Sequence, residues 1–472
     1  MSNTSRNQLV EFKSYDPVII ALCLLLMLMG WTMIFASEYN PDTFKSIFNF
    51  EKSYGKQLLW ISVGLITIGL IQFIEGRIFQ NFAFVILGIS VFLLIAVLFT
   101  KPVNGSTSWF DLGGFRFQPS EFGKTASALA LASLLSLPDI RLQDIRGKTI
   151  ALLVLGVPTL LVLLQNDTGS TLAYLSFFLV LYRAGFPLTI YLIFILVFFL
   201  SVAALMFDNV WWLLHLMILF GNLVLLRFWK KDERWTIAFL LLSFTALYFF
   251  SKTISLLILA QGSILLLFSL LNIFKRNWQI TVITSLSILI AFIYSLSVNY
   301  LVNNILKTHQ QERIWVWLRP EKCDPLGSLY NLEQSKYAIG SGGYFGKGFL
   351  EGERTKLDYV PEQSTDFIFC TVGEEWGFFG SILIIGIFIT LLMRILFLAE
   401  RQRFSFAKFY AYGVASILLF HIFVNIGMTM GLLPVIGIPL PFVSYGGSSM
   451  ISFSIMIGIL LKLDSERSSA YR

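Results

Sequence analysis

The sequence predicts an all-α polytopic membrane protein with about fourteen transmembrane helices. Three observations carry this. The 472 residues are 56% hydrophobic and 13% charged, with a mean hydropathy of +0.75. Soluble chains carry about 25% charged residues. Runs of roughly twenty apolar residues recur from end to end, the length that crosses the hydrocarbon of a bilayer as a helix. Stretches such as IALCLLLMLMGWTMIFA (20–36) lack the alternation of a membrane β-barrel.

The apolar segments follow one another at about 17–36, 56–74, 80–99, 121–137, 149–165, 168–183, 188–206, 211–228, 235–250, 254–273, 280–299, 367–398, 406–429 and 446–462. They imply six N-terminal helices over 1–187, five over 188–299, a large extracytoplasmic loop over 300–366 and three helices over 367–472. The polar first sixteen residues lead into an apolar run with no small-residue cleavage site after it. The first helix is therefore expected to target the chain without being removed.

The basic residues orient these spans. With the N-terminus in the cytoplasm, twenty Lys and Arg fall in inner loops and tails. Six fall in short outer loops: Lys45, Lys52, Lys56, Lys101, Arg116 and Lys252. The asymmetry predicts that both termini are cytoplasmic. It also accounts for the net charge of +7 without nucleic acid as a partner. Cys23, Cys323 and Cys370 have neither metal nor disulfide spacing.

Four stretches combine polar chemistry with an expected membrane edge, all on the outer side. In NGSTSWFDLGGFRFQPSEFGKTA (104–126), Pro119-Ser120-Glu121 fits a helix start. Lys124 lies three residues beyond Glu121, on the same face. An interfacial ion pair is one reading, and a cavity-facing functional pair the other. Trp109 fits an interfacial anchor. In LQNDTGSTLAY (164–174), Asp167 fits a helix cap.

The long loop carries a glycine run, Gly340 to Gly348, with neither a strand before it nor a lysine-serine pair. Flexible backbone is the simpler reading. Its basic residues Arg313, Lys336, Lys347, Arg354 and Lys356 suit an anionic headgroup or plain solvation. Thr365 and Asp366 stand where PEQSTDFIF (361–369) turns apolar. Capping the next helix is one role. A carboxylate at a wet–apolar seam also suits a general base, since partial desolvation favours its neutral form. In GLLPVIGIPLPFVSYGGSS (431–449), three prolines and four glycines forbid a continuous helix and predict an extended loop buried against protein.

Together these stretches resemble the SEDS family (shape, elongation, division and sporulation), the RodA and FtsW group. The resemblance rests on WFDLGGFRFQPSEFGK from Trp109, QNDTGS from Gln165, IGSGGYFGKG from Ile339, PEQSTDFIF from Pro361, GEEWGFFG from Gly373, and the 431–449 stretch. It covers about 1–190 and 300–465. QSK at 334–336, GKGF at 346–349 and LDYVPEQ at 357–363 look more like the RodA branch than the FtsW branch.

The resemblance implies a peptidoglycan glycosyltransferase that polymerises lipid II at the outer face of the bacterial cytoplasmic membrane. It implies a class B penicillin-binding protein and other elongation-machinery membrane proteins as partners. Asp366 matches the family's essential aspartate. Lys124 is the first candidate for the departing diphosphate, with Arg116 and Arg313 below it. Glu121 would orient Lys124, Trp109 would line the lipid path, and Glu362 is a weaker candidate. A divalent cation (Mg2+ or Mn2+) could share the work, with Asp366 as its ligand.

The sequence departs from the family in two ways. Thr107-Ser108 stand where a basic residue often precedes the loop tryptophan. Five spans are expected between 188 and 299 where family members have one, so about four helices are added to a core of ten. A lipid II flippase and a non-catalytic scaffold for a penicillin-binding protein are the alternative functions.

Overall fold

The computed structural model describes residues 15–39, 44, 46–103, 105–111, 113, 116–207, 210–229, 254–274, 278–324, 327, 329–357 and 359–467. The span expected at 235–250 lies outside them. The chain forms two compact units, one of residues 1–187 with 324–472 and one of residues 188–323. The division falls inside the stretch read from sequence as a single loop, 300–366.

Among the described residues, nine helices are long and apolar enough to cross a membrane. In the first unit these are α1 (Pro17–Glu38), α2 (Ser53–Ile71) and α6 (Ile145–Leu164). Two short helices, α14 (Tyr330–Ser341) and α15 (Glu353–Lys356), precede three more spans that close the chain: α16 (Ile368–Arg401), α17 (Ser405–Thr429) and α18 (Gly447–Ser465). Between α2 and α6 lie α3 (Gly76–Asn81), α4 (Ala83–Val97), a two-residue hairpin of β1 (Phe110–Asp111) and β2 (Arg116–Phe117), and α5 (Pro119–Ser136). The α5 helix is poor in large apolar residues because it is central. Its Ala, Ser and Gly positions let α4 and α17 pack closely around it.

The sixth expected span is not one helix. It is α7 (Thr168–Tyr174) followed by α8 (Phe177–Arg183). Around the junction, Leu175, Ser176, Phe178 and Leu179 each bond three residues back, a tightened turn that ends one helix and starts the next.

The α16 helix is broken at Gly377, whose φ of 65° and ψ of −156° only glycine adopts readily. A break in a membrane helix leaves backbone groups that lipid cannot satisfy. The 342–348 loop supplies the partners. Phe378 N–H donates to Gly343 O at 2.9 Å and Phe379 N–H to Tyr344 O at 3.1 Å. In return, Lys347 and Gly348 N–H donate to the carbonyls of Glu374 and Glu375. A Cβ on Gly346 would lie 2.0 Å from Glu375 O. The glycine run therefore serves close approach of two backbones, not flexibility.

The second unit holds α9 (Leu188–Met206), α10 (Val210–Trp229), α11 (Ile254–Phe274), α12 (Trp278–Asn304), α13 (Thr308–Leu318) and a 3-10 turn at Pro320–Lys322. Amide side chains join its helices. Asn222 donates to Gln261 O at 3.0 Å, Asn272 to Leu225 O at 3.1 Å and Asn299 to Ala204 O at 3.0 Å.

Candidate active site

Three of the four chemistry-bearing stretches meet at one end of the first unit, and the 361–369 seam of the long loop joins them. The 431–445 loop is irregular, as its prolines require; its first part is partly exposed, with Leu432 65% exposed, and its second part is buried, with Ile438, Leu440, Phe442 and Val443 each no more than 2% exposed. Gly30 of α1 touches it so closely that a Cβ would lie 2.5 Å from Val443 Cα. The loop holds the PEQSTDF seam by its backbone. Tyr445 N–H donates to Ser364 O at 2.9 Å and Ser444 Oγ to Thr365 O at 2.6 Å.

Asp366 is half-buried in this seam. Its Oδ2 faces Gly437, where a Cβ would lie 3.1 Å away; Gly437 also has a φ of 77°. The cap expected from Thr365 does not form. Phe367 occupies the cap position of α16 and makes no side-chain cap bond. The Thr365 hydroxyl instead turns back to Glu362, at 2.9 Å from Oε2. Glu362 is exposed and left-handed, with φ 56°.

Lys124 is somewhere else than an open cavity. It is fully enclosed, 2.8 Å from Glu121 Oε1 and 2.8 Å from His421 Nε2, with the Phe453 ring 5.7 Å away. The sequence reading of Lys124 as a direct ligand of diphosphate therefore conflicts with its burial. The ion-pair reading fits, since a charge in the membrane interior is held by a partner. A lysine that donates to Nε2 leaves the imidazole hydrogen on Nδ1, which donates to Pro439 O at 3.1 Å. His421 thus joins Lys124 to the same 431–445 loop that holds Asp366.

Asn425, one turn along α17, makes the second link. Its Nδ2 donates to Ile438 O at 2.7 Å and to Asp366 O at 2.8 Å. The sequence reading missed both His421 and Asn425. Their signal was present: a histidine and an asparagine four residues apart inside an otherwise apolar span.

The 104–126 stretch closes the other side. Asp167 caps α7 as expected, accepting from Ser170 N–H at 3.0 Å. Its other oxygen takes Gln118 Nε2 at 2.8 Å. Ser448 Oγ donates to Arg116 O at 2.9 Å, and Ser452 Oγ to Glu121 O at 2.7 Å. Arg116 itself is exposed, 3.8 Å from Asp111. Trp109 is half-buried, its carbonyl accepting from Thr100 Oγ1. Arg313 lies exposed on α13 of the second unit, so it is not among the residues that the first unit gathers.

Glu374 and Glu375 lie beneath the 346–356 segment. Glu374 accepts from Lys347 Nζ, Arg354 N–H and Thr355 N–H, each at 3.0 Å. This is an organising role for the loop. Among the described residues, no group of three or more His, Cys, Asp and Glu could cage a metal ion. A single carboxylate such as Asp366, completed by substrate phosphates, is nonetheless a donor set that suits Mg2+.

Comparison with known proteins places these observations in a family. The model of the cell cycle proteins FtsW, RodA and SpoVE matches residues 16–224 and 214–469. The peptidoglycan glycosyltransferase RodA of Treponema pallidum is 31% identical over 96% of this chain and 98% of its own. The peptidoglycan glycosyltransferase MrdB of Escherichia coli K12 is also 31% identical, over 96% of this chain and 94% of its own. The crystal structure of the Thermus thermophilus rod shape determining protein RodA has the same fold, with a TM-score of 0.56 at 22% identity over 97% of this chain and 99% of that one. A chain from a peptidoglycan synthase complex that coordinates polymerization and crosslinking superimposes with a TM-score of 0.62, at 22% identity over 96% and 99%. The chain belongs to the FtsW, RodA and SpoVE family of cell cycle proteins, the SEDS family, and is a multi-pass membrane protein.

Proposed function

We propose that this chain is a peptidoglycan glycosyltransferase of the RodA kind, polymerising lipid II for cell elongation. Asp366 carries the proposal. It is half-buried, seated against the bare backbone of Gly437, and fixed through its own carbonyl by Asn425. In the proposed step the GlcNAc 4-hydroxyl oxygen bonds to the anomeric carbon of a MurNAc, giving a β-1,4 link. Asp366 takes the hydroxyl proton. The bond from that carbon to the diphosphate breaks, and undecaprenyl diphosphate leaves as an anion.

Arg116, exposed near the seam's neighbouring loop, is our cation for the diphosphate. Lys124 is a positioning residue, since direct contact would require its cluster with Glu121 and His421 to open. Trp109 lines the lipid path and Glu362 borders the site. A divalent cation bound at Asp366 would supply charge for the same leaving group. The partner is a class B penicillin-binding protein, in keeping with the synthase complex that this fold matches. With both termini in the cytoplasm, as the distribution of basic residues favours, the site faces outward.

Purified lipid II, the protein and its partner test this, with wild type against Asp366→Ala and Asp366→Asn. Glycan strands from wild type alone, with the complex intact, are expected. Equal product from all three would remove the catalytic role and put the flippase reading first.

A further inference from the structure

Just past the break at Gly377, α16 turns two aromatic rings outward. Phe378 is 53% exposed and Phe379 55%. Ile382, Leu383, Ile389 and Met393 continue an exposed apolar stripe down the helix. No charged residue interrupts α16 from Phe378 to Met393. Charge returns with Arg394, paired to Asp16, and Arg401, paired to Asp464. From Phe378 to Arg401 the helix runs about 36 Å at 1.5 Å per residue. That slightly exceeds the ~30 Å of a bilayer's hydrocarbon. With the two arginines at one boundary, Phe378 and Phe379 stand at the other, on the side of Asp366.

The loop that bonds to this break brings two more rings to the same level. Tyr344 is 72% exposed and Phe345 83%. The Tyr344 ring meets Phe378 edge-on at 6.1 Å, and the Phe345 ring lies 5.2 Å from Phe379. The loop cannot drift from α16. A Cβ on Gly342 would lie 2.0 Å from Gly373 O, and one on Gly377 would lie 2.3 Å from Gly346 N. IGSGGYFG, from Ile339 to Gly346, carries no charged side chain. A stretch long read as extracytoplasmic loop thus presents bare backbone to the helix and aromatic rings outward. Four exposed rings side by side form an apolar patch of the kind that marks an interaction surface.

We propose that Tyr344, Phe345, Phe378 and Phe379 insert into the interfacial layer of the bilayer, where headgroups meet acyl chains, and that the 342–348 segment is a membrane anchor. The patch is continuous with the lipid-facing stripe of α16 and lies at its boundary. Its rings suit that layer, the phenylalanines toward the chains and the tyrosine hydroxyl toward the headgroups. The loop backbone meets the requirement of the setting, because Gly343 O and Tyr344 O accept from Phe378 and Phe379 N–H. The anchor also sets a depth. Glu374 holds Thr355 N–H at 3.0 Å, and Gln363 Nε2 donates to Thr355 O at 2.8 Å, which ties the segment to the Asp366 seam. The inference concerns where the segment lies and stands whether or not Asp366 is a base.

The test uses nitroxide labels on the full chain in nanodiscs of phosphatidylcholine and phosphatidylglycerol. Cys323, which is partly exposed, is first changed to serine; Cys23 and Cys370 are buried. Labels are then placed through Phe345→Cys and Phe379→Cys. Leu383→Cys on the lipid-facing stripe and Asp139→Cys in the exposed connection between α5 and α6 are the references. Power saturation reads collisions with oxygen, which concentrates in lipid, and with a nickel chelate, which stays in water. Labels at 345 and 379 are expected to meet oxygen more than nickel, as at 383, with the ratio reversed at 139. A label at 345 that meets nickel as often as the one at 139 would place the segment in water and overturn the proposal. Shielding of both labels from both reagents would also overturn it and assign the patch to a second copy of this chain. Phe345 is exposed, so its label decides even where Phe379→Cys disturbs α16.

Discussion

The side-chain amide of Asn425 holds the backbone carbonyl of Asp366 at 2.8 Å while its second hydrogen holds Ile438 O at 2.7 Å. One side chain thereby fixes both the proposed base and the loop against which that base lies. His421, one turn earlier on α17, bridges Lys124 and Pro439 O in the same way. The 431–445 loop is thereby held at two successive carbonyls, Ile438 O by Asn425 and Pro439 O by His421. Pre-set geometry of this kind is what a base needs, since a misplaced proton acceptor loses rate without losing binding.

Asn425→Ala should therefore reduce glycan polymerisation more than it reduces substrate binding. Two buried carbonyls lose their donor, at a cost of about 1–3 kcal/mol in stability. Turnover on lipid II is expected to fall at least tenfold with KM little changed. Unaltered turnover in a protein that has lost the expected stability would show that Asp366 is held by other means.

Much of this arrangement was legible in the sequence because it rests on backbone chemistry. Pro119 at a helix start, Asp167 as a cap and the irregular 431–445 loop follow from residue types alone. The enclosure of Lys124 was not legible. Spacing places it one turn from Glu121, but only the approach of α17 and α18 decides whether that face meets water or His421 and Phe453. The glycine run misled for a related reason. Its purpose, to lie against the break at Gly377, involves a partner thirty residues away. The apolar pattern also passed smoothly through Leu175 and Ser176, where the helix in fact tightens and restarts.

The Glu121–Lys124 pair gives a test of burial. Lys124→Met leaves the Glu121 carboxylate in a closed apolar setting, and breaking such a pair costs about 3–5 kcal/mol. Replacing both, as Glu121→Gln with Lys124→Met, should recover most of that loss, because no uncompensated charge remains. Thermal unfolding in detergent reads the comparison. A double variant as unstable as the single one would refute the ion-pair account of Lys124.

Glu374 organises the 347–355 segment through three hydrogen bonds at 3.0 Å. Each is to a charged acceptor and is worth about 1.5–3 kcal/mol. Glu374→Gln exchanges one oxygen for a donor that faces other donors. Amide hydrogen exchange at Arg354 and Thr355 should rise by one to two orders of magnitude, while α17 and α18 stay protected. Unchanged exchange at these two amides would mean that the glycine contacts alone hold the segment.

At the opposite terminus of α1, Asp16 caps the helix through Val18 and Ile19 N–H and accepts from Arg394, 2.6 Å away at Nη2. Burial works to raise its pKa, but the bonds from Arg394 and Ile19 and the charge of Arg401 outweigh it, so the carboxyl titrates below its ordinary 3.8. A folded-state pKa below the unfolded one means that ionised Asp16 stabilises the fold. That contribution is complete above about pH 4 and disappears as the pH falls through the folded-state value. Asp16→Asn keeps an oxygen for the cap but cannot ionise. The stability difference between wild type and Asp16→Asn should therefore be constant at neutral pH and shrink only in strong acid. A difference that vanishes near pH 6 would point to another titrating group and would remove Asp16 as the anchor of α1 to α16.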